Sequence, residues 1–446
     1  MAILDILTRL QTEIGARRAG TAGEEKAQEW LMRRCEELGL PVELDDFTYI
    51  RSRFYRPLRT LFTLLWLIGC IVLSFIGNFG AGVIGIILLL FFSSPLQKRV
   101  ELTLARSTSR NILAGLKRTP GEYMTAEAQT PAVLLCAHYD TPLSTPHWYR
   151  RLLNVFRALA PLSILGVIIY VVYLVLFLAS SIFQQLIEAG IPAFLGRIGG
   201  LVGGVVLLFG LPYLIMLLTS SLMAIFRKPL DSPGADDNGS GTALVLEAAA
   251  RLKANPPHNM DVFFAWWGAE EYGLFGSRQF VRRFAKSLNP DSLYIVNVDC
   301  VGVGERLTVH TGQGVFRKKP SDPQTVARME RLAAARNIKT IRSWESIISG
   351  GSSDHASWID RGFTRTATIL RENPGKQYWT ARLIAFLLRI PDAHQMDLPH
   401  IHTLKDTLDG IRPETLAETL ELTLDYIYDV DASLPPVEES LEGLSE

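Results

Sequence analysis

Hydrophobic positions along the sequence follow two patterns, and each predicts a different kind of element. In the first pattern a short apolar run ends at a polar group, as in AVLLCAHYD (132–140) and SLYIVNVDCVG (292–302). Continuous runs of this length are typical of strands that are buried on both faces. Apolar residues at helical spacing follow, as in GTALVLEAAARLKA (241–254). This alternation predicts an α/β fold in which a mostly parallel mixed sheet is sandwiched by helices.

The same pattern continues through most of the chain outside the long apolar blocks. It begins with an amphipathic helix at the N-terminus. Two more strands are expected in MDVFFAWWGAEE (260–271) and TRTATIL (364–370). Three more helices are expected at 274–287, 323–337 and 413–430.

The second pattern consists of long apolar blocks without a polar face. A helix that crosses a bilayer needs about 20 mainly apolar residues, and three of the four blocks reach that length. Short connections join the blocks in pairs, so we expect two inserted transmembrane helical hairpins, 58–96 and 158–226. The alternative is that the blocks are buried core helices. The blocks are 58–76, 81–96, 160–179 and a segment within 191–225.

Charged residues lie on one side of these blocks. Basic segments such as RSRFYRPLR (51–59) and FRKP (226–229) flank them, whereas the hairpin tips carry almost no charge. Because positively charged flanks stay in the cytoplasm, the globular part is predicted on the cytoplasmic side. The sequence therefore predicts a multi-pass integral membrane protein with the lipid bilayer as a partner.

Composition excludes two other classes of protein. The 446 residues include 45 basic and 45 acidic side chains, so the formal net charge is zero and no nucleic-acid partner is expected. A disulfide framework is not expected either, because the cysteines have no paired spacing. They are Cys35, Cys70, Cys136 and Cys300.

Polar side chains gather where the predicted strands end. Parallel strands build their sites at their carboxyl ends, so these side chains are expected to converge. Asp140 follows His138 by two positions and can hold its imidazole ring. Histidines and carboxylates together suit zinc, or alternatively manganese or cobalt. The group comprises His138, Asp140, the turn 233–241, Glu270, Glu271, Asp299, His400, His402 and Asp406.

The order and spacing of these motifs resemble the co-catalytic dizinc aminopeptidases, a family of zinc exopeptidases. The resemblance extends over the whole globular part of the chain. Its motifs are IGARRAGTAGEEKAQEWL, SRNILAGL, AHYDT, GADDNGSG, GAEEYGLFGS, NVDCVG, SSDHASW and HTLKDT.

The resemblance implies a role for each matching residue. It implies two zinc ions per chain, bridged by Asp236, and a cis peptide bond between Asp236 and Asp237. One ion would also be held by His138 and Asp299, and the other by Glu271 and His402. Glu270 would act as the catalytic base, with Asp140 as a further catalytic residue.

The implied activity is removal of N-terminal residues from peptides by a water molecule that two zinc ions activate. Two alternatives remain open. One is a single-zinc transferase similar to glutaminyl cyclases, and the other is a non-catalytic membrane receptor or scaffold on the same fold. Carboxypeptidase or dipeptidase specificity and the oligomeric state are also left open.

These expectations divide the chain into six sections. The catalytic domain is predicted in three parts, interrupted by the two hairpins and followed by a disordered acidic tail. The predicted boundaries are 1–57 (N-terminal part), 58–96 (first hairpin), 97–157 (first zinc-ligand strand), 158–226 (second hairpin), 227–431 (remaining zinc ligands) and 432–446 (tail).

Overall fold

The computed structural model describes most of the chain outside the long apolar blocks. Ten α-helices and nine strands are described, together with two short π-helical turns at Leu10–Ile14 and Ala235–Ser240 and two 3-10 turns at Ala285–Ser287 and Leu408–Gly410. The described residues are 3–50, 106–126, 130–146, 230–346, 351–375 and 379–436, with short pieces between 148 and 222 of which 183–195 is the longest.

Strands and helices alternate through the second half of the chain. The strands are β1 (Val42–Ile50), β2 (Arg106–Gly115), β3 (Ala132–His138), β4 (Asp261–Trp267), β5 (Leu293–Val298), β6 (Arg306–Gln313), β7 (Lys319–Pro320), β8 (Thr340–Glu345) and β9 (Thr366–Glu372). The helices are α1 (Ile3–Arg9), α2 (Ala22–Glu37), α3 (Pro120–Met124), α4 (Gln184–Glu188), α5 (Gly241–Ala254), α6 (Phe275–Phe284), α7 (Pro323–Ala335), α8 (His355–Ile359), α9 (Trp379–Leu387) and α10 (Pro413–Ala432).

The strands form a single mixed sheet in the order β1-β2-β4-β3-β5-β9-β6-β7, and β8 pairs with β6. The four central strands β4, β3, β5 and β9 are parallel to one another. Antiparallel pairs occur toward both edges, between β1 and β2, β2 and β4, β9 and β6, and β6 and β7. The carboxyl ends of the parallel strands therefore lie along one edge, where polar side chains can meet.

Alternate residues of the central strands enter two separate hydrophobic layers. Leu135 packs in the layer that includes α1, α2, α5, α7 and α10, whereas Leu134 packs in the layer with α6 and Trp358 of α8. Both faces of the sheet are covered because successive side chains of a strand point in opposite directions. This explains why the strands appear in the sequence as continuous apolar runs.

Local sequence signals set the helix ends. The side chain of Asp322 accepts a hydrogen bond from the backbone N–H of Thr325 over 2.8 Å, and Pro323 occupies the first turn of α7. This hydrogen bond satisfies one of the N–H groups that the start of a helix leaves without a partner. Proline lacks an N–H group, but in the first turn that group would have no partner within the helix. α10 likewise begins with a proline, Pro413.

The sequence correctly predicts the mixed α/β fold and its main elements. All four predicted strands are present, and so are the five predicted helices, including the one at the N-terminus. The antiparallel strands β1, β2, β6 and β7 and the strand β8 are additions to the predicted set. The outer strand β1 alternates buried and exposed positions over much of its length, so its sequence lacks a continuous apolar run.

The predicted transmembrane hairpins require correction. Among the described residues, no helix has both the length and the hydropathy that crossing a membrane requires. A helix that spans a bilayer needs about 20 mainly apolar residues. The predictions of two inserted transmembrane hairpins and of a multi-pass integral membrane protein are therefore wrong. The segment 58–96 and much of 158–226 lie outside the described residues.

The last helix, α10, ends at Ala432, the first residue of the predicted acidic tail. Residues 437–446 of that tail lie outside the described residues. The predicted domain boundaries therefore stay predictions.

Candidate active site

Strand ends and loops bring the predicted side chains to the same edge of the sheet. His138 is the last residue of β3, and Asp299 directly follows β5. Glu270 and Glu271 follow β4 by three and four residues. All of these residues except Glu271 are buried, which is unusual for carboxylates unless a cation or a proton compensates their charge.

Asp237 lies between the two histidines. Its Oδ1 is 3.4 Å from Nε2 of His138, and its Oδ2 is 3.1 Å from Nε2 of His402. Asp299 Oδ1 is 3.6 Å from the same nitrogen of His138, whereas Glu271 Oε2 is 3.5 Å from the same nitrogen of His402. The two oxygens of one carboxylate thus face two different sets of possible metal ligands.

Asp236 points elsewhere. Its Oδ1 accepts a hydrogen bond from the backbone N–H of Gly302 over 2.7 Å, and its backbone carbonyl accepts one from the Ser240 hydroxyl over 2.7 Å. The resemblance had implied that Asp236 is the bridging ligand, but the carboxylate that lies between the two histidines is that of Asp237. The cis peptide bond is likewise one residue later than expected, between Asp237 and Asn238.

Asp140 contacts both the histidine and the glutamate pair. Its carboxylate accepts hydrogen bonds from the backbone N–H groups of Glu270 (2.9 Å) and Glu271 (3.3 Å). Its Oδ1 is 3.6 Å from Nδ1 of His138, and its backbone carbonyl oxygen is closer to that nitrogen, at 3.1 Å. The sequence predicts that the Asp140 side chain holds the ring; in the structure its backbone carbonyl oxygen, rather than its carboxylate, is within hydrogen-bond distance of the ring.

The turn that carries Asp237 is held by residues far away in the sequence. Asp406 accepts hydrogen bonds from the backbone N–H groups of Asp236 (2.7 Å) and Asp237 (3.2 Å). Arg17, which is fully buried, donates to the carbonyl oxygens of Tyr139 and Gly234, each over 2.8 Å. The sequence identified Asp406 only as a polar residue near the site, and it gave Arg17 no role.

Two residues of the SSDHASW motif extend the site on the other side. The Ser353 hydroxyl donates to Asp299 Oδ2 over 2.6 Å. The carboxylate of the next residue, Asp354, is fully buried, and burial raises its pKa to about 7. Sequence reasoning used this motif only for the family resemblance. His400, in contrast, is exposed and contributes nothing to the cluster.

Burial and charge change the acidity of the clustered groups. Burial raises the pKa of Glu270 and of Glu271 well above the ordinary value. Burial also disfavours the charged form of His138, but the surrounding carboxylates, Glu270 above all, raise the pKa of His138 well above its usual value. Burial raises the pKa of Asp237, but the nearby His138 and His402 lower it more. The pKa of Asp237 therefore falls below its ordinary value.

The donor set suits zinc. Glu271 Oε1 and Asp299 Oδ1 are buried without a hydrogen-bond partner among the described residues, which is costly unless a cation compensates. Zinc takes imidazole nitrogens and carboxylate oxygens at about 2.0–2.2 Å in tetrahedral geometry, so neighbouring ligand atoms should be about 3.3 Å apart. The separations of 3.1–3.6 Å around Asp237 fit that spacing.

Comparison with known sequences gives a consistent assignment. Residues 221–427 match the profile of a family described as "Peptidase family M28". The chain is 28% identical over 202 residues to "Aminopeptidase YwaD" of Bacillus subtilis, a match that covers 44% of this chain and 38% of the relative. It is 39% identical over 180 residues to "Aminopeptidase" of Pseudomonas aeruginosa, covering 38% of this chain and 32% of the relative. The matches thus span about a third of the length of these relatives.

Solved structures share the fold at low sequence identity. A glutaminyl cyclase of Porphyromonas gingivalis superposes with a TM-score of 0.52 and 15% identity, covering 96% of this chain and 97% of that one. A leucine aminopeptidase precursor of Bacteroides thetaiotaomicron superposes with a TM-score of 0.50 and 13% identity, covering 96% of both chains. Both similarities concern the fold.

Proposed function

Because residues 221–427 of this chain belong to peptidase family M28, we propose that the protein is a zinc-dependent aminopeptidase with two zinc ions at the described site. The family implies zinc, and the curated relatives are named as aminopeptidases. The observation that carries the proposal is the carboxylate of Asp237, whose two oxygens face His138 and His402 separately. One carboxylate between two ligand sets is the arrangement that two neighbouring cations require.

The ligand roles follow from these contacts. His138 and Asp299 would hold one ion, and Glu271 and His402 would hold the other, with Asp237 shared between them. Asp237 thereby takes the role that the resemblance had implied for Asp236. Zinc pairs of this kind supply Lewis acidity and lower the pKa of water.

Glu270 is the proposed catalytic base. Its Oε2 is 4.0 Å from Nε2 of His138, which is farther than the 3.1–3.6 Å that separate the proposed ligand atoms. Glu270 therefore lies beside the proposed ligands and is not one of them. Its backbone is fixed by Asp140. In this role Glu270 accepts a proton from the attacking water and delivers it to the amine of the departing peptide. Its burial favours proton uptake, since burial raises the pKa of its carboxyl.

Access to the site is open on one side. About half of the His402 side chain is exposed (47%), whereas His138 is almost fully buried (2%). A substrate would therefore approach from the His402 side, with its scissile carbonyl toward Glu270. Asp140 positions the base Glu270, and Asp406 positions the ligand Asp237, each by accepting a hydrogen bond from a backbone N–H group.

The alternative of a single-zinc transferase fits these contacts less well. With one ion at His138, the imidazole of His402 would face Asp237 and Glu271 without a cation between them. The glutaminyl-cyclase structures share the fold, which does not decide between the two reactions. Counting the zinc ions per chain that are lost when His138 and His402 are replaced separates these functions.

A substrate panel tests the proposed function directly. Purified protein is assayed with aminoacyl substrates that have a free amine, with matched N-blocked peptides and with an N-terminal glutaminyl peptide. We expect cleavage of the free-amine substrates alone, loss of activity with a chelator and its return with zinc. Equal cleavage of the N-blocked peptides would contradict the aminopeptidase assignment. Cyclisation of the glutaminyl peptide without hydrolysis of the others would favour the transferase.

A further inference from the structure

A second cluster of histidine and carboxylate side chains lies in the outer part of the sheet. His310 is on β6, Glu345 is the last residue of β8, and His355 is the first residue of α8. β6 and β8 are parallel neighbours, paired as His310 with Ser343 and, beyond an irregularity, Gln313 with Glu345. The strand pairing thus brings the first two side chains to one place, and α8 supplies the third.

The three side chains are close enough to share one ion. Each offers one ligand atom, and these three atoms all lie within 4.8 Å of one another. The ring centroids of His310 and His355 are 4.4 Å apart, and the rings are tilted by 43°. Nε2 of His355 is 2.7 Å from Oε2 of Glu345. None of the three belongs to the candidate active site.

Their polar atoms are left without hydrogen bonds. Both ring nitrogens of His310, both of His355 and Oε2 of Glu345 have no hydrogen bond of acceptable geometry to any residue that the structure describes. The two histidines are 4% and 1% exposed, so bulk water cannot replace the missing partners. Buried polar groups are almost always satisfied, and each exception requires a cause. Two buried imidazoles beside one carboxylate have an obvious common partner, a metal cation.

We propose that His310, Glu345 and His355 bind a divalent metal ion, with zinc as the preferred ion, at a site separate from the candidate active site. Two imidazoles and one carboxylate are a known protein ligand set for zinc. Neutral imidazole is the form that binds a metal, and nitrogen ligands favour zinc over magnesium or calcium. Because both histidines are buried, the ion would serve the structure rather than act on a substrate.

An ion pair between a protonated His355 and Glu345 is the competing explanation. It would account for one contact but would leave both nitrogens of His310 without partners. Burial, with the nearby His355 and His394, lowers the pKa of His310 well below its ordinary value, so His310 is neutral and cannot join such a pair as a cation. A bound metal would take up one nitrogen of each histidine and one oxygen of Glu345.

The proposed ion would also stabilise a segment that contacts the active site. His355 comes two residues after Ser353, whose hydroxyl donates to Asp299 over 2.6 Å. An ion that joins α8 to β6 and β8 would fix the backbone beside this hydrogen bond. The residues 351–359 would then be less mobile in the metal-bound protein than in the metal-free protein.

The experiment measures zinc in a full-length variant whose active-site ligands are removed, His138→Ala with His402→Ala. After dialysis against buffered zinc, we expect about one zinc ion per chain to remain. Adding His310→Gln should remove it. The matched control is His394→Gln, since His394 is also buried and near His310 but pairs with Glu372. This control should keep the zinc.

Spectroscopy keeps the proposal testable if a histidine variant does not fold. X-ray absorption of the zinc retained by the double-alanine variant should show two imidazoles with oxygen ligands. No retained zinc, retained zinc without imidazole, or retention unaffected by His310→Gln would overturn the proposal. Since peptidase activity is not the readout, failure here leaves the proposed aminopeptidase function untouched.

Discussion

Asp140 accepts a hydrogen bond from the backbone N–H of Glu270 over 2.9 Å. Its second carboxylate oxygen accepts the N–H of Glu271 over 3.3 Å, and the whole residue is buried. One side chain at the end of β3 therefore fixes the two glutamates that follow the neighbouring strand β4. The proposed base and a proposed zinc ligand share this support.

The first prediction concerns this support. Asp140→Asn keeps one acceptor oxygen but turns an amide NH2 toward a backbone N–H. We expect zinc affinity to fall about 10–100-fold, as is usual when a group that orients metal ligands is changed. Zinc titration and kcat are the measurements. Asp46→Asn, at an exposed carboxylate paired with Arg110, is the control and should change neither. Unchanged zinc affinity in Asp140→Asn would rule out the positioning role.

The second prediction distinguishes two adjacent aspartates. Asp237→Asn removes the negative charge between His138 and His402, so we expect loss of most bound zinc and of activity. Asp236→Asn should retain zinc, because an asparagine oxygen can still accept the Gly302 N–H. Burial also raises the pKa of Asp236 well above its ordinary value, which makes a neutral side chain a small change there. Metal analysis of both variants is decisive, and the reverse result would restore Asp236 as the bridging residue.

Most of the site residues could be predicted because the signal was local. His138 and Asp299 come at the ends of apolar runs that are recognisable as buried strands, and parallel strands place such ends along one edge. The Glu270–Glu271 pair follows another such run. The sequence therefore predicts that two histidines and three or more carboxylates converge, and the structure brings His138, His402, Glu270, Glu271 and Asp299 together.

The choice between Asp236 and Asp237 could not be made in the same way. It depends on how the turn before α5 is oriented, and that orientation comes from Asp406 and Gly302, which are distant in sequence. Arg17 also supports this turn from a distant part of the sequence. It donates to main-chain carbonyl groups, and such contacts leave no signal in the side chains of the residues they join. The transmembrane hairpins were predicted from hydropathy alone, and no described helix has the length and hydropathy that they require.

The third prediction separates the base from the metal ligands. Glu270→Gln cannot accept a proton, so kcat should fall about 10²–10⁴-fold, the usual contribution of a positioned base. Bound zinc should be unchanged. Glu271→Gln is the variant for comparison, because Oε2 of Glu271 lies 3.5 Å from Nε2 of His402 and is a proposed zinc ligand. In Glu271→Gln the zinc content should fall. Near-normal turnover in Glu270→Gln would exclude its role as base. Equal loss of zinc in both variants would place Glu270 among the ligands.

The fourth prediction concerns the pH dependence of stability and a residue outside the metal cluster. Glu24 of α2 is 2% exposed, and its carboxylate accepts hydrogen bonds from the Ser109 hydroxyl and the Gly20 N–H. Burial outweighs these bonds and raises the pKa of Glu24 from 4.5 to about 7. The folded chain thus holds this proton more tightly than the unfolded chain does.

The sign of the effect follows from that difference. The contribution of Glu24 to the free energy of unfolding is complete below about pH 4.5 and is lost as the pH rises toward about 7. Between about pH 5 and about pH 8 the loss is on the order of 2 kcal/mol. In Glu24→Gln this loss should disappear, whatever the variant's absolute stability. Urea unfolding of both proteins, with a chelator and at the two pH values, measures this change in the free energy of unfolding. The control is Glu25→Gln, at the exposed neighbouring residue, which should behave as the unmodified chain does. An equal decrease in Glu24→Gln and the unmodified chain would mean that Glu24 is already ionised in the folded protein at about pH 5.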